Sequence, residues 1–386
     1  MSITVTEDRL DPRVTHGPTR RRPTGPGLPD TSGAPSRAAL ERLGLVRVAD
    51  ATGDPEGRLA HELRDQRVIG RLRSYGGETT DVLLLDGGTG EIPTTYFLND
   101  RPDPMDREPL APSLRTLVDF AAAVDELAAL RGRFASCADR YGPQAAAEAS
   151  RRLLAVFEEG AEGEEPASLW KMAALIRPLA LVAGPGSRSG LTLDLPPRLL
   201  DDEFGAQEIV RFEEVDFPAA LTHEPTLRFL REVGLPEDGP WFFSLDTEVP
   251  LPTLEEYTAD DPGAAPGPAG AERLVRLGHL LEDTSLVVDG TTGAVLCWSE
   301  PDGALRPLST DLSTLAFTLW LVHRERALDA EHALSDAYER LTDTMTRALA
   351  AVDPLARDPA PGTPTDDGLR YWPGVFEDYA GAELCA

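Results

Sequence analysis

The feature that most restricts the fold of this 386-residue chain is a glycine-rich turn that occurs twice. In the second half of the chain, two runs of aliphatic and β-branched residues flank the turn Asp289-Gly-Thr-Thr-Gly293. Glycine adopts positive φ without steric cost, and a short glycine-rich loop between two such runs is typical of a β-hairpin. An aspartate that opens such a loop accepts hydrogen bonds from the loop's own backbone. We therefore predict a structural role for the turn residues Asp289, Gly290 and Gly293.

A second hairpin of the same kind is predicted from Asp81 to Phe97. Each hairpin is followed by a polar connection and a helix, which begins at Ser113 in the first half and at Asp311 in the second. Hairpin and helix in the same order twice predict two related modules, because the period is too long for a stacked repeat array. The corresponding turn residues of the first hairpin are Asp86, Gly87 and Gly90.

Composition divides the chain into four parts. Residues 1–35, rich in Pro, Gly, Thr and Ser and carrying Arg20 to Arg22, are predicted to be a flexible tail. Residues 36–133 form a first, smaller module, and residues 134–190 form a helical connector. Residues 191–386 form the second module.

The second module has its own predicted elements. Thr222 is predicted to cap a helix that Gly234 stops, and Trp241 to Leu245 is predicted to be a strand. An amphipathic helix is expected near residues 330–352, and the aromatic tail from Tyr371 to Tyr379 is expected to fold back on the module. Trp241 and Trp298 are expected in the core.

The formal charge of −29 at pH 7 is the strongest compositional feature. Such a field repels nucleic acid and anionic membranes and attracts basic partners, although acidity also serves solubility alone. The three cysteines show no paired spacing, and no apolar run has the length of a membrane span. We therefore expect a cytoplasmic protein that contacts neither nucleic acid nor membrane directly.

Catalytic chemistry is not indicated by the sequence. The six histidines show no metal-ligand spacing with acidic residues or cysteines, and no nucleophile elbow or phosphate-binding loop is present. We expect no catalytic residue, no metal ion and no cofactor.

The second module resembles the SUKH superfamily, specifically its fourth bacterial subgroup. The resemblance is carried by the segment from Phe217 to Pro236, the aromatic strand near Trp241, the turn after Val288 and the helix that contains Leu312 and Phe317. The first module is a weaker, degenerate echo. The resemblance implies an α+β fold in which helices pack around an antiparallel sheet, so we predict two related SUKH-like modules joined by the connector.

The resemblance also implies a function. Members of this superfamily act as immunity proteins of bacterial polymorphic toxin systems, which bind a cognate toxin, often a nuclease or deaminase, and block it. A scaffold or regulatory adaptor of the same fold is the alternative. If the immunity role holds, the partner is a basic protein, and an acidic proline-rich loop is the candidate contact surface. Its residues are Asp246, Glu248, Glu255, Glu256, Asp260 and Asp261.

Overall fold

A computed structural model describes twelve segments of the chain. They are residues 45–46, 66–73, 79–96, 105–160, 166–239, 241–247, 250–260, 267–280, 283–301, 303–334, 340–357 and 371–382. The tail at 1–35 and the candidate residues Glu248 and Asp261 lie outside these segments.

The chain divides into two compact units. The first comprises residues 1–138 and 147–175, and the second comprises residues 139–146 and 176–386. Most of the two helices between residues 143 and 176, which the sequence analysis assigns to a connector, therefore falls within the first unit.

The first unit contains a five-stranded antiparallel sheet in which the strands follow one another in chain order. The strands are β1 (Leu45–Val46), β2 (Gln66–Arg73), β3 (Thr79–Asp86), β4 (Ile92–Tyr96) and β5 (Met105–Ala111). Each neighbouring pair is antiparallel. The predicted hairpin is thus the β3–β4 pair at the middle of the sheet.

Three helices follow this sheet, namely α1 (Leu114–Ala128), α2 (Pro143–Gly160) and α3 (Ser168–Ile176). Ser113 caps α1, since its side chain accepts a hydrogen bond from Thr116 N at 3.1 Å. Buried rings of the three helices meet in one aromatic cluster, in which the centroids of Phe120 and Trp170 are 4.2 Å apart and those of Phe120 and Phe157 are 5.5 Å apart.

The second unit contains another five-stranded antiparallel sheet in chain order. Its strands are β10 (Phe243–Leu245), β11 (Leu274–Leu280), β12 (Thr284–Asp289), β13 (Val295–Ser299) and β14 (Leu305–Ser309). Two short pairs precede it, β6 (Gly184–Pro185) with β7 (Leu193–Asp194) and β8 (Ile209–Val210) with β9 (Leu235–Pro236). With helices packed around the sheets, the fold is α+β.

The described part of the second unit contains seven α-helices. They are α4 (Leu199–Phe204), α5 (Glu224–Glu232), α6 (Leu254–Asp260), α7 (Leu312–His332), α8 (Leu341–Val352), α9 (Pro354–Arg357) and α10 (Tyr371–Ala382). All eleven residues from Leu312 to Val322 are buried, so the first half of α7 is the central helix of the core. As predicted, Asp311 caps it, since its carboxylate accepts Ser313 N at 2.9 Å and Thr314 N at 3.3 Å.

One face of the second sheet is covered by α6. Leu254 of this helix is fully buried and packs with Leu274, Val287 and Trp298 of the sheet. The aromatic tail folds back as predicted, because Trp372 of α10 is buried and donates from Nε1 to the carbonyl of Leu308 at 2.9 Å.

Three local predictions are wrong. Thr222 is not the helix cap, because its N–H donates to the carbonyl of Gly290 at 2.8 Å. The N-cap of α5 is the next residue, His223, whose side chain makes no capping hydrogen bond. The helix expected over residues 330–352 is interrupted, because Ala333 adopts φ +52° and ends α7. Trp241 precedes the strand, in a turn, and its exposed fraction is 42%.

Candidate functional site

The repeated turns are held by their aspartates. Asp289 Oδ1 accepts the backbone N–H groups of Thr291 and Thr292 at 3.0 and 3.1 Å, and Arg273 Nε donates to the other carboxylate oxygen at 3.0 Å. Burial raises the pKa of Asp289, but the hydrogen bonds from the loop and from Arg273 outweigh it, so the pKa is lowered overall. Gly290 has backbone at its side-chain position, since a Cβ there would lie 2.2 Å from Ala220 O. These contacts fit the structural role predicted for the turn.

Beside the core formed with α6 lies a buried polar cluster, which we call the Arg276 cluster. It comprises Arg276, Asp246, Tyr257, His279, Ser285 and Glu300. The Arg276 side chain is 3% exposed and donates from Nε to Ser285 Oγ at 2.9 Å. Its guanidinium forms an ion pair with the Asp246 carboxylate and lies 4.1 Å from the centroid of the Tyr257 ring.

The cluster extends outward through two side chains. Ser285 Oγ and Tyr257 OH both donate to Glu300 Oε1, at 3.0 and 3.2 Å. His279, whose side chain is 54% exposed, has its ring nitrogens 2.8 Å from a guanidinium nitrogen of Arg276. The cluster therefore joins β10, β11, β12, α6 and the end of β13.

Burial determines the protonation of the cluster. It lowers the pKa of Arg276 to about 10, against the opposing effect of Glu300, so the guanidinium stays charged at neutral pH. Burial and the positive charge of Arg276 lower the pKa of His279, so its imidazole is neutral there. A buried guanidinium with ionic and hydrogen-bonding partners is the arrangement in which a charge is tolerated inside a protein.

The acidic residues singled out from the sequence have different surroundings. Asp246 belongs to the Arg276 cluster, while Glu255 and Glu256 are exposed in the first turn of α6 and Asp260 ends that helix. Glu256 also has a structural contact, since its Oε2 accepts Thr253 N at 2.8 Å and Thr253 Oγ1 at 2.9 Å. The prediction that Glu255, Glu256 and Asp260 lie in a loop was therefore wrong, because they belong to a capped helix.

A second exposed feature is Trp241, at the tip of a tight turn. The turn is closed by a bridge between Asp238 and Ser244, and Gly239 N donates to Phe243 O at 3.0 Å. Glu237 and Asp238, at the start of this turn, are both exposed. The aromatic character of Trp241 is visible in the sequence, but its exposure is not, since apolar neighbours on both sides favoured a buried strand.

Catalytic or metal chemistry finds no support in these groups. Within the described segments, no set of three or more His, Cys, Asp or Glu side chains is placed to hold a metal ion. Burial raises the pKa of the Cys297 thiol to about 11, which leaves it protonated and a poor nucleophile at neutral pH. Across the same segments, no helix is long and apolar enough to cross a membrane.

The second unit is thus defined as an α+β domain whose sheet carries a buried polar cluster and an acidic, partly aromatic surface. Residues 195–378 match the model of the SUKH-4 immunity protein family, which supports membership of the SUKH superfamily for this segment. The family suggests a toxin-immunity role, in which the protein binds a cognate toxin, and it implies a non-catalytic protein. No curated protein and no solved structure matches the chain.

Proposed function

We propose that this protein is a cytoplasmic immunity protein that binds a cognate nuclease or deaminase toxin and blocks it by covering its active or substrate-binding surface. The observation that carries the proposal is the match of residues 195–378 to the SUKH-4 immunity protein family. The alternative, an adaptor that gathers partners without inhibiting them, has no observation of its own in its favour.

The charge of the chain supports a basic partner. A toxin that acts on nucleic acid needs a positive surface to hold phosphates, and a protein of net charge −29 attracts such a surface from a distance. Carboxylates placed where the toxin holds phosphates would compete with its substrate. Complementary charge of this kind increases the association rate more than the affinity.

The surface proposed for the partner contact runs along α6 and includes the predicted residues Asp246, Glu248, Glu255, Glu256, Asp260 and Asp261. Three of them differ in their surroundings: Glu255 is exposed, whereas Asp246 and Glu256 also stabilise their own segment through side-chain contacts. Trp241 adds an exposed aromatic side chain, the residue type that most often contributes strongly to protein interfaces.

The first test is co-expression of the chain with the product of the adjacent open reading frame. Rescue of growth, together with co-purification, would establish an immunity protein and supply the partner. A neighbour that binds without being toxic would favour the adaptor instead, and a toxic neighbour that the chain neither binds nor neutralises would contradict the proposal.

The second test locates the contact by charge. The variant Glu255→Lys is preferable to Glu256→Lys, because Glu256 also caps α6. With Glu237→Lys added, we expect association with the toxin to slow by about tenfold or more at low salt and by less at high salt. The matched control is Glu331→Lys with Asp202→Lys, which makes the same change in net charge at side chains that are 72% and 71% exposed. Equal association rates for the two double variants would remove Glu237 and Glu255 from the interface.

A further inference from the structure

The same turn, with the same hydrogen bonds, occurs once in each of the two sheets. Asp86 Oδ1 accepts Gly88 N and Thr89 N, both at 2.9 Å, as Asp289 accepts the two residues at the same places in its own turn. Gly90 has φ +82° and donates to Asp86 O at 2.9 Å; Gly293 has φ +76° and donates to Asp289 O at 2.8 Å. The correspondence of Asp86 with Asp289 fixes an alignment of the two sheets.

This alignment also superimposes an irregularity of the strands. In the first unit the register shifts between Val68 and Gly70, which pair with Leu84 and Leu83. In the second unit the register shifts between Arg276 and Gly278, which pair with Val287 and Leu286. Leu84 and Leu83 lie two and three residues before Asp86, and Val287 and Leu286 lie two and three residues before Asp289. Both sheets therefore contain a β-bulge of one extra residue at the same position. A β-bulge is a specified feature of a strand, and its recurrence here is not expected from the shared topology alone.

The correspondence continues beyond the hairpin. The next pair of strands shifts register between Ile92 and Pro93 in one sheet and between Val295 and Leu296 in the other. A helix cap then follows the last strand by two residues in both units, at Ser113 and at Asp311.

The last helix of each unit contacts the same point of its sheet. In the first unit Trp170 of α3 donates from Nε1 to Leu110 O, and in the second unit Trp372 of α10 donates from Nε1 to Leu308 O. Leu110 and Leu308 each lie three residues before the helix cap. The correspondence therefore includes the helices up to residue 175, beyond the boundary at residue 133 predicted from the sequence.

The same alignment shows where the two units differ. Arg276 and Ser285 of the second sheet correspond to Val68 and Val82 of the first. A buried ion pair generally contributes less to stability than well-packed aliphatic side chains of similar volume. Because the same strand register forms with valine at both positions, the fold does not require the Arg276 cluster.

The cluster does hold the segment that leads to the proposed contact surface. Asp246, at the end of β10, is bound by its carboxylate to Arg276 and by its N–H to Leu277 O at 2.8 Å. Tyr257 of α6 stacks on the guanidinium and donates to Glu300. The Arg276 side chain thus contacts both ends of the chain segment from Asp246 to Tyr257, and this segment includes Glu255.

We infer that the first unit contains a second copy of the immunity module, which extends through Trp170, and that the Arg276 cluster, whose Arg276 and Ser285 are replaced by valine in the first copy, positions α6 for partner binding. Arg276 is a positioning residue in this inference, since it is buried and acts through Asp246 and Tyr257. The inference rests on the proposed function for the identity of the partner, but its statement about the fold does not.

The test replaces both residues in the full chain by those of the first copy, as Arg276→Val with Ser285→Val. We expect the variant to fold cooperatively, with a melting temperature below that of the wild type because Asp246 loses its ion-pair partner, and to show at least a tenfold loss of affinity for the toxin encoded beside the gene. Hydrogen exchange of residues 250–260 should become faster in the free protein. Arg276→Lys, which keeps the charge, should restore part of the affinity.

Two further variants keep the test decisive. Val68→Ile with Val82→Ile makes a conservative change at the same positions of the first copy and should leave toxin affinity unchanged. Asp246→Asn removes the charge of the ion-pair partner at constant size and should lower affinity in a folded protein. The inference is overturned if the double valine variant keeps full affinity, or if it fails to fold while Asp246→Asn binds as the wild type does. If the wild type binds no toxin, the proposed function fails, and the melting temperature still tests the statement about the fold.

Discussion

Replacing Asp289 by alanine should destabilise the second unit by a predictable amount. At pH 7 the ionised carboxylate accepts two backbone N–H groups and pairs with Arg273. Hydrogen bonds to charged groups contribute about 1.5–3 kcal/mol each. The lower value applies here, because loop amides regain water when the carboxylate is removed, which gives about 3 kcal/mol for the two.

The ion pair adds little to this sum. The Arg273 side chain is 55% exposed, and ion pairs at exposed positions contribute about 0–1 kcal/mol. A loss of about 3 kcal/mol lowers the melting temperature of a domain of this size by roughly 6–12 °C. Asp289→Asn keeps an acceptor oxygen in place and should lose about half as much, since neutral hydrogen bonds are about half as strong.

The loss should depend on pH in one direction. The folded pKa of Asp289 lies below the unfolded value of about 3.9, so the stabilisation is fully present above that value and disappears as the pH falls through the folded pKa. Urea unfolding of wild type and Asp289→Ala, at pH 7 and near pH 3, checks both statements. Neutral surface substitutions change the free energy of unfolding by no more than about 0.5 kcal/mol. A change of that size or less for Asp289→Ala at pH 7 would refute the reasoning. Asp86→Ala is the matched variant in the first unit.

Three further predictions concern the core of the second unit. Gly293→Ala should cost about 2 kcal/mol or more in urea unfolding, because φ is +76° and the new Cβ would lie 2.3 Å from His223 Nδ1; unchanged stability would contradict this turn geometry. Trp372→Phe should cost about 2–4 kcal/mol by the same measurement, since it leaves Leu308 O without its donor; a smaller loss than at an exposed control, Trp241→Phe, would contradict the docking of α10. Cys297 should resist alkylation at pH 8 until the protein unfolds, as read by mass spectrometry, because burial raises its pKa to about 11; labelling of the native protein would contradict its burial.

Elements with local signals were predictable from the sequence. The turn at Asp289 and the cap at Asp311 are set by residues within four positions of each other, so their spacing is enough to recognise them. The fold class followed from such signals and from the family resemblance.

The elements that were missed depend on contacts between distant residues. Helix α6 begins with a local signal, the capping box of Thr253 and Glu256, but it has only seven residues and depends on the burial of Leu254 against the sheet, which is a contact between distant residues. The Arg276 cluster was missed for the same reason, because Asp246 and Glu300 come close to Arg276 only when four strands, β10 to β13, pair in the observed register. The exposure of Trp241 likewise depends on the tertiary position of its turn.

The bulge in β11 has a consequence for how the proposed contact surface can change over time. Gly278 lets the backbone of β10 approach closely, since a Cβ there would lie 2.2 Å from Ser244 O. The chain leaves the sheet after Asp246, whose N–H is fixed to Leu277 O, and returns at Thr253, which bridges Val275. Both ends of the intervening segment are anchored on one strand, so residues inserted between them add only a small loop-closure cost and leave the sheet register intact. The bulge thus separates a strand that must keep its length from a connecting segment whose length can change without disturbing the sheet.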